Sequence, residues 1–277
     1  MKKALLLFLS VFSITVYGQF NCQSTKLNPL PLQSNAPINF NSRSDTADLV
    51  QLKLTIDSRD FTNGQLTGIA AYQLGAKLPF SSLRFDLLGF TVDSIVDLSG
   101  PLNFSQQGEH VTVNASAVAG QTLQWTFHYH GSTTKDASGW GGIHHDGNYH
   151  YNLGVGFAAN PHVYGRSLFP CFDHFVEKST LDEMNIITTP GKVGVSNGIY
   201  VGTDTLISGD LVWHWEGQAP IPSYLVSMAV SDYFKQSWTH DGRPFEIYGR
   251  AQDTANMTAG FINLNDIYDA FVEEFGP

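Results

Sequence analysis

The chain has 277 residues, 42% hydrophobic and 13% aromatic, with 15 basic against 25 acidic side chains and a formal net charge of −10. That is core material for one large domain or two small ones, and it excludes a disordered chain. The acidic balance argues against nucleic acid and anionic membrane surfaces as partners, because both need a basic face.

Residues 1–18 read as a secretory signal peptide. Lys2 and Lys3 form a charged start, residues 4–16 are an apolar run broken only by Ser and Thr, and Val16-Tyr17-Gly18 leads to a cut before Gln19. The run is too short to span a membrane and no later one approaches the length. The expectation is an exported protein, periplasmic or extracellular, with no membrane span. Residues 19–45, rich in Asn, Gln, Ser and Pro without a period, read as a flexible linker. The two cysteines are Cys22, in that linker, and Cys171. An oxidising compartment would permit a bridge between them, but spacing does not establish its geometry; the alternative is Cys171 as a buried free thiol.

From Asp48 the texture changes. Leu49, Gln51, Lys53 and Thr55 alternate with Val50, Leu52, Leu54 and Ile56, the pattern of a half-buried strand, and a turn cluster leads to a second strand over 66–74. Short strands follow at 82–86, 94–98, 110–113 and 122–129, separated by Gly, Asn and Ser turns, which predicts an all-β domain of the β-sandwich kind.

The stretch 131–156 differs. It holds Gly139-Trp140-Gly141-Gly142, His144-His145-Asp146-Gly147 and Tyr149-His150-Tyr151, and seven of the ten histidines fall between His128 and His174. One reading is a metal site. Against it, His144 and His145 are neighbours that point apart, and no His-Glu-x-x-His helix occurs. The other reading is a Gly- and aromatic-rich loop on one rim of the sandwich.

Next comes Arg166-Ser167-Leu168-Phe169-Pro170-Cys171-Phe172-Asp173. Pro170 fixes φ and removes a donor, so an ordinary strand is excluded. Either this is a structured corner, tied by Arg166 and Asp173 with Phe169, Pro170 and Cys171 packed beneath, or it is an irregular loop with a buried Cys. No nucleophile motif provides a His for Cys171.

Strands resume at 181–188. Residues 192–195 and 199–201 flank Ser196-Asn197-Gly198, and Asn197-Gly198 predicts a hairpin. A strand at 211–215 is followed by 223–233, apolar on both faces and expected to be one doubly covered central strand; 245–248 is the last strand. From Thr258, a candidate cap, Phe261, Leu264, Ile267, Tyr268, Phe271, Val272 and Phe275 recur at spacings of three and four, predicting an amphipathic helix. Its apolar stripe needs a partner. Either the helix opens a further domain or it docks back on the sandwich.

Taken in order, these stretches resemble the N-terminal domain of the aminopeptidase N family of zinc metallopeptidases, which includes membrane alanyl aminopeptidases and leukotriene hydrolase. The residues 166–173 match the family's A-R-x-x-F-P-C-x-D signature, Lys178-Ser179-Thr180-Leu181 its K-A-T-F continuation, and Val195-Ser196-Asn197-Gly198 its A-x-S-N-G turn. Trp213-His214-Trp215, Pro220 to Val226 and Asp232-Tyr233 match the strands that follow. The resemblance implies a saddle-like all-β domain over 46–250 and, over 251–277, the truncated start of a thermolysin-like catalytic domain, with Phe275-Gly276-Pro277 like its opening segment. It implies an aminopeptidase that acts on peptide substrates with zinc in the full-length enzyme. This chain would be inactive alone, with no catalytic residue and no metal, and would partner its own missing catalytic domain. Gly156, Phe157, Asn160 and His162 would face the substrate; Arg166, Phe169, Pro170, Cys171, Asp173, Asn197 and Gly198 would be structural.

Two departures stand out. The family's amine-holding T-Q-x-E-P segment corresponds here to 156–162, which has no Gln or Glu, so Asn160 offers only a neutral acceptor. Gly165 stands where the family has Ala, and Phe175 where it often has Pro. Two other functions remain open: a non-catalytic binding or scaffold relative, and a free-standing secreted carbohydrate binder using Trp140, Tyr149 and Tyr151.

Overall fold

The alternation that starts at Ala47 builds the centre of the fold. A computed structural model describes residues 42–276; residues 1–18, read above as a signal peptide, most of the stretch read as a linker, Cys22 and Pro277 lie outside the described residues. In chain order the strands are β1 (Ala47–Asp60), β2 (Gln65–Ala76), β3 (Leu83–Asp86), β4 (Phe90–Asp97), β5 (Gly100–Pro101), β6 (Asn103–Gln107), β7 (His110–Asn114), β8 (Thr122–Ser132) and β9 (Gly142–His145). They continue with β10 (His150–Leu153), β11 (Lys178–Thr188), β12 (Val193–Ser196), β13 (Ile199–Thr205), β14 (Leu211–Glu216), β15 (Pro220–Pro222), β16 (Met228–Ser231), β17 (Tyr233–His240) and β18 (Arg243–Arg250). The described chain is thus the mostly-β architecture the sequence predicts.

A nine-stranded sheet runs in the order β13-β14-β11-β1-β2-β8-β4-β5, with β15 added beside β11. β1 and β11 pair in parallel and the other pairs are antiparallel. Four strands form a second sheet, β12-β16-β10-β9; β3, β7 and β6 form a third; β17 and β18 form a hairpin. Strict alternation would turn Val50 inward. It is 39% exposed, because an extra residue between Leu49 and Gln51 shifts the register against β2.

The core is aromatic. Phe85, fully buried on β3, packs its ring 4.7 Å from Phe127 and 6.1 Å from Trp125 of β8, 5.8 Å from Tyr72 of β2 and 5.0 Å from Phe172. One side chain thus joins the small sheet, the large sheet and the 165–173 corner. The residues 42–46 form a helical turn in which Arg43 pairs with Asp86 at 2.7 Å, so ordered structure begins inside the stretch read as linker.

Three expectations are corrected. Asn197-Gly198 does not close a hairpin: β12 pairs with β16 in one sheet and β13 with β14 in another. The Asn197 side chain instead accepts from the Ser227 N–H at 2.6 Å, and Gly198, at φ +93°, carries the chain between sheets. The stretch 223–233 is not one strand. Ser223–Leu225 makes a 3-10 turn, and Asn152 takes the backbone groups around it, donating to the Val226 carbonyl at 3.0 Å and accepting from the Met228 N–H at 2.6 Å. The final helix is two helices, Thr254–Gly260 and Leu264–Phe275, and Thr258 sits inside the first, bonded to Gln236. Gly260 is a poor helix former and ends that segment. The β17–β18 hairpin turns on Asp241-Gly242, both at positive φ, and that Asp-Gly pair is a hairpin signal legible in the sequence.

Gly68 faces Tyr129 across the β2–β8 pair, and a Cβ there would lie 2.0 Å from the Tyr129 ring, whereas at Gly75 it would meet nothing within 4 Å. Gly68→Ala is expected to cost about 1–3 kcal/mol by overpacking. Gly75→Ala is expected to lie within about 0.5 kcal/mol of the parent, as open sites do. Urea unfolding of both proteins checks the contrast.

Candidate functional site

The corner begins with the 3-10 turn Gly165–Ser167. Arg166 is its hub: Nη1 donates to Asp173 Oδ2 at 2.7 Å and to the Val163 carbonyl at 3.0 Å, while Nε donates to Glu109 at 2.9 Å. The buried Asp173 also accepts from the Gly165 N–H at 3.0 Å. Burial pushes the Asp173 carboxyl up, and Arg166 and the Gly165 N–H pull it back. Beneath them, Asp86 and Cys171 exchange backbone hydrogen bonds at 2.8 and 3.0 Å. Tyr72 and Tyr129 of the large sheet donate to the Pro170 and Leu168 carbonyls at 2.7 and 2.9 Å. The backbone groups that Pro170 leaves without a ladder are therefore paired by side chains.

Cys171 and Phe169 are 1% exposed. Burial raises the Cys171 thiol well above its usual range, so it stays protonated and is no nucleophile. A cavity of about 10 Å³ lies beside it, lined by Tyr72, Glu177 and Ser223 among others. That is room for about one water. The Ser223–Leu225 turn crosses Gly165 closely: a Cβ there would lie 2.8 Å from the Ser223 backbone. Phe175 is partly exposed and packs edge-on to Tyr224 at 5.3 Å.

From β10 the chain runs through 154–164 to the corner, tied back by the Tyr164 N–H to the Gly154 carbonyl at 2.6 Å. The Gly156 carbonyl accepts from the Ala159 N–H at 3.1 Å, and a cis Asn160–Pro161 bond follows. Phe157 is 57% exposed; its ring lies 5.6 Å from that of Trp140 and 6.2 Å from that of His162. The structure therefore brings Phe157 and His162 together with Trp140. The residues of the corner lie behind them, and Asn197 and Gly198 belong to the junction between sheets. Of Trp140, Tyr149 and Tyr151, the two tyrosine rings lie 5.3 Å apart, Tyr151 stacks on His144 at 4.8 Å, and Trp140 packs on Phe157.

Asp136 organises this rim and sequence reasoning missed it. Its carboxylate accepts from the Ser138 hydroxyl at 2.8 Å and from the N–H groups of Trp140, Gly141 and Ala158 at 3.0, 2.9 and 2.8 Å. It thereby clamps 138–141 to 156–159. Desolvation works to raise its pKa, but these donors outweigh it and hold the carboxyl at about 2. The Asp-x-Ser spacing of an Asx turn was the available signal.

The histidines have separate partners: His130 pairs with Asp93, His144 donates to the Trp140 carbonyl, His145 bonds to Thr133 and His150 to Ser58. Among the described residues, no three of His, Cys, Asp or Glu converge as a metal would need. This chain's described residues do not fit a zinc site.

Residues 37–225 match the family described as the Peptidase M1 N-terminal domain, most of the chain. The chain belongs to that family. It is similar to aminopeptidase Q of Felis catus (31% identical over 117 residues, 40% of this chain and 12% of that protein) and of Homo sapiens (29% over 117 residues, with the same shares). It thus spans about an eighth of the length of these relatives. Among solved structures it resembles a variant of the M1 zinc metallopeptidase from Deinococcus radiodurans, with a TM-score of 0.72 at 17% identity over 86% of this chain and 57% of that one. The same enzyme bound to a Tyr-Ser-Ala substrate gives 0.71 at 18% identity, with the same coverage. At these identities the likeness is one of fold.

Arg166→Ala strands the buried Asp173 carboxylate and is expected to cost about 3–5 kcal/mol. Arg166→Lys, lacking the fork that reaches Glu109 and Asp173 together, should restore only part of it in thermal unfolding. Asp136, depressed in the fold, contributes rim stability that is complete above its unfolded pKa of 3.8 and lost as pH falls through about 2. Asp136→Asn should open 138–141 and 156–159 to limited proteolysis at pH 7, with the sheet unaffected; cleavage at the parent's rate would disprove the clamp.

Proposed function

We propose that this chain is the N-terminal, non-catalytic domain of an exported zinc-dependent metallopeptidase, an aminopeptidase that removes N-terminal residues from peptides. The carrying observation is the family match across 37–225, a span that includes the Arg166–Asp173 corner. Relatives that are aminopeptidases and neighbours that are zinc metallopeptidases support it. The described residues do not fit zinc, so its ligands and the general base would come from residues other than these.

The chain's own part would be to wall the substrate cleft. Gly156, Phe157, Asn160 and His162 would form the peptide-facing rim, set in place by Asp136 and by the corner behind. Asn160 would offer a neutral oxygen to the substrate's amine. The division at 46–250 and 251–277 is part of the same proposal. Ile267, Phe271 and Phe275 on the helix Leu264–Phe275 are 51–72% exposed, and such an apolar stripe suits a catalytic partner packed against it.

A second reading, a non-catalytic binding or scaffold relative, is favoured by one observation: the rim segment has no carboxylate for the amine. The coding sequence after Pro277 separates the two. The peptidase requires a His-Glu-x-x-His helix with a downstream Glu there, and zinc-dependent release of amino acids from anilide substrates by the complete product. Residues 19–277 alone should release none and bind no stoichiometric zinc. An intact gene without that helix overturns the peptidase and leaves the binding reading; tight zinc on the fragment would overturn the assignment of its histidines.

A further inference from the structure

His150 is the one histidine that is completely buried, and its environment is unusual. It lies on β10, opposite His145 of β9 and Val230 of β16. Its Nδ1 is 2.7 Å from the Ser58 hydroxyl on β1, and its ring stacks on Phe61 at 4.4 Å and 13°. Phe61, 8% exposed, begins the turn between β1 and β2. Nε2 of His150 is buried and has no hydrogen-bond partner. The imidazole thus ties the second sheet to the end of β1, beside the His145–Thr133 and Trp215–Gly194 hydrogen bonds that link the same two sheets elsewhere.

We propose that His150 is an acid-sensitive latch: neutral, it fastens the β9–β10 hairpin to the end of β1, and uptake of one proton releases the hairpin together with the loop that leaves it.

The reasoning rests on what a second proton would meet. Neutral imidazole pairs one nitrogen with Ser58 and leaves the other bare. Imidazolium carries N–H on both nitrogens, so the Nε2–H would be a buried donor without an acceptor, and a buried charge without a counter-ion at hydrogen-bond distance. The charged and titratable groups around it do not compensate. Asp60, at the end of β1, attracts the charge, but it already accepts from the Asn63 backbone and side chain. His145 on β9 stands edge-on at 5.8 Å and repels it when protonated. Lys192, just before β12, already holds its ammonium 5.1 Å from the Phe61 ring. Burial first, then His145, push the His150 pKa down to about 4 against a weaker upward pull from Asp60. The neutral form therefore contributes stability that is complete above the ordinary 6.5 and is lost as pH falls through about 4.

Release would travel by direct contacts. The His145 ring lies on Gly64 and bonds to Thr133 at 2.8 Å, and the Thr133 N–H donates to the Gly64 carbonyl at 3.0 Å. Thr133 precedes the Asp136 loop, and β10 leads into 154–164. Both halves of the rim therefore hang from the latched hairpin. That these halves face a substrate rests on the proposed function; the latch does not.

Hydrogen exchange of the full chain, corrected for intrinsic rates, tests it at pH 7 and pH 4.5, where Asp136 stays ionised. Segments 58–64 and 142–156 should open on the order of tenfold more often or greater at the lower pH, while 66–74 and 122–129 stay protected. The double variant Ser58→Ala/His150→Phe keeps a stacked ring and removes the titrating group, and should lose the pH response. Equal protection of the parent at both pH values, or the same rise in the variant, overturns the latch. NMR titration of the parent's imidazoles needs no variant. A His150 midpoint near 4 accompanied by shifts at Ser58 and Phe61 supports the proposal, and a midpoint near 6.5 without them overturns it. Peptidase activity of the complete product enters neither result, so failure of the latch and failure of the proposed function are told apart.

Discussion

A carboxylate taken out of water must find a cation and hydrogen-bond donors, or it cannot stay ionised. Asp173 meets that constraint through Arg166 and the Gly165 N–H, and much of the molecule is arranged around the solution. Arg166 reaches Glu109 and the Val163 carbonyl as well, so one guanidinium fixes the corner to the β6–β7 turn and to the end of the rim loop. Below it, Tyr72 and Tyr129 lend their hydroxyls to carbonyls that no strand can pair. The cysteine and carboxylate that look reactive as a string serve packing and backbone satisfaction.

The same economy recurs at the other polar centres. Asp136 fastens two loops with one carboxylate, Asn152 and Asn197 replace backbone pairing where the 223–231 segment leaves the sheet, and His150 joins two sheets through Ser58. Each is a single side chain spanning elements distant in sequence. The apolar core, centred on Phe85, supplies the bulk attraction; these polar residues decide how the sheets and loops are registered.

The rim that Asp136 fastens carries an exposed Trp140–Phe157 pair, in a chain that belongs to the Peptidase M1 N-terminal domain family and spans about an eighth of aminopeptidase Q of Felis catus. Under the proposed function, the contribution of this domain is shape: where a peptide can approach and which groups it meets.

The sequence by itself determined the β architecture, the family and the Arg166–Asp173 tie, because alternation and an ordered run of rare residues are local, one-dimensional signals. The first two strands, β8, β11, β14 and the amphipathic C-terminal segment were all legible in this way. The tertiary structure alone decided the rest. Asn197-Gly198 reads as a hairpin, but its flanking strands find better partners in two different sheets. The run 223–233 reads as one strand until Asn152, more than seventy residues earlier, captures its backbone. His150 carries no motif and the Asp-x-Ser spacing at Asp136 marks only a local turn; their importance comes from burial and from which groups surround them. Hydrogen-bond satisfaction between segments far apart in the chain is a property of three-dimensional proximity, and residue spacing does not encode it.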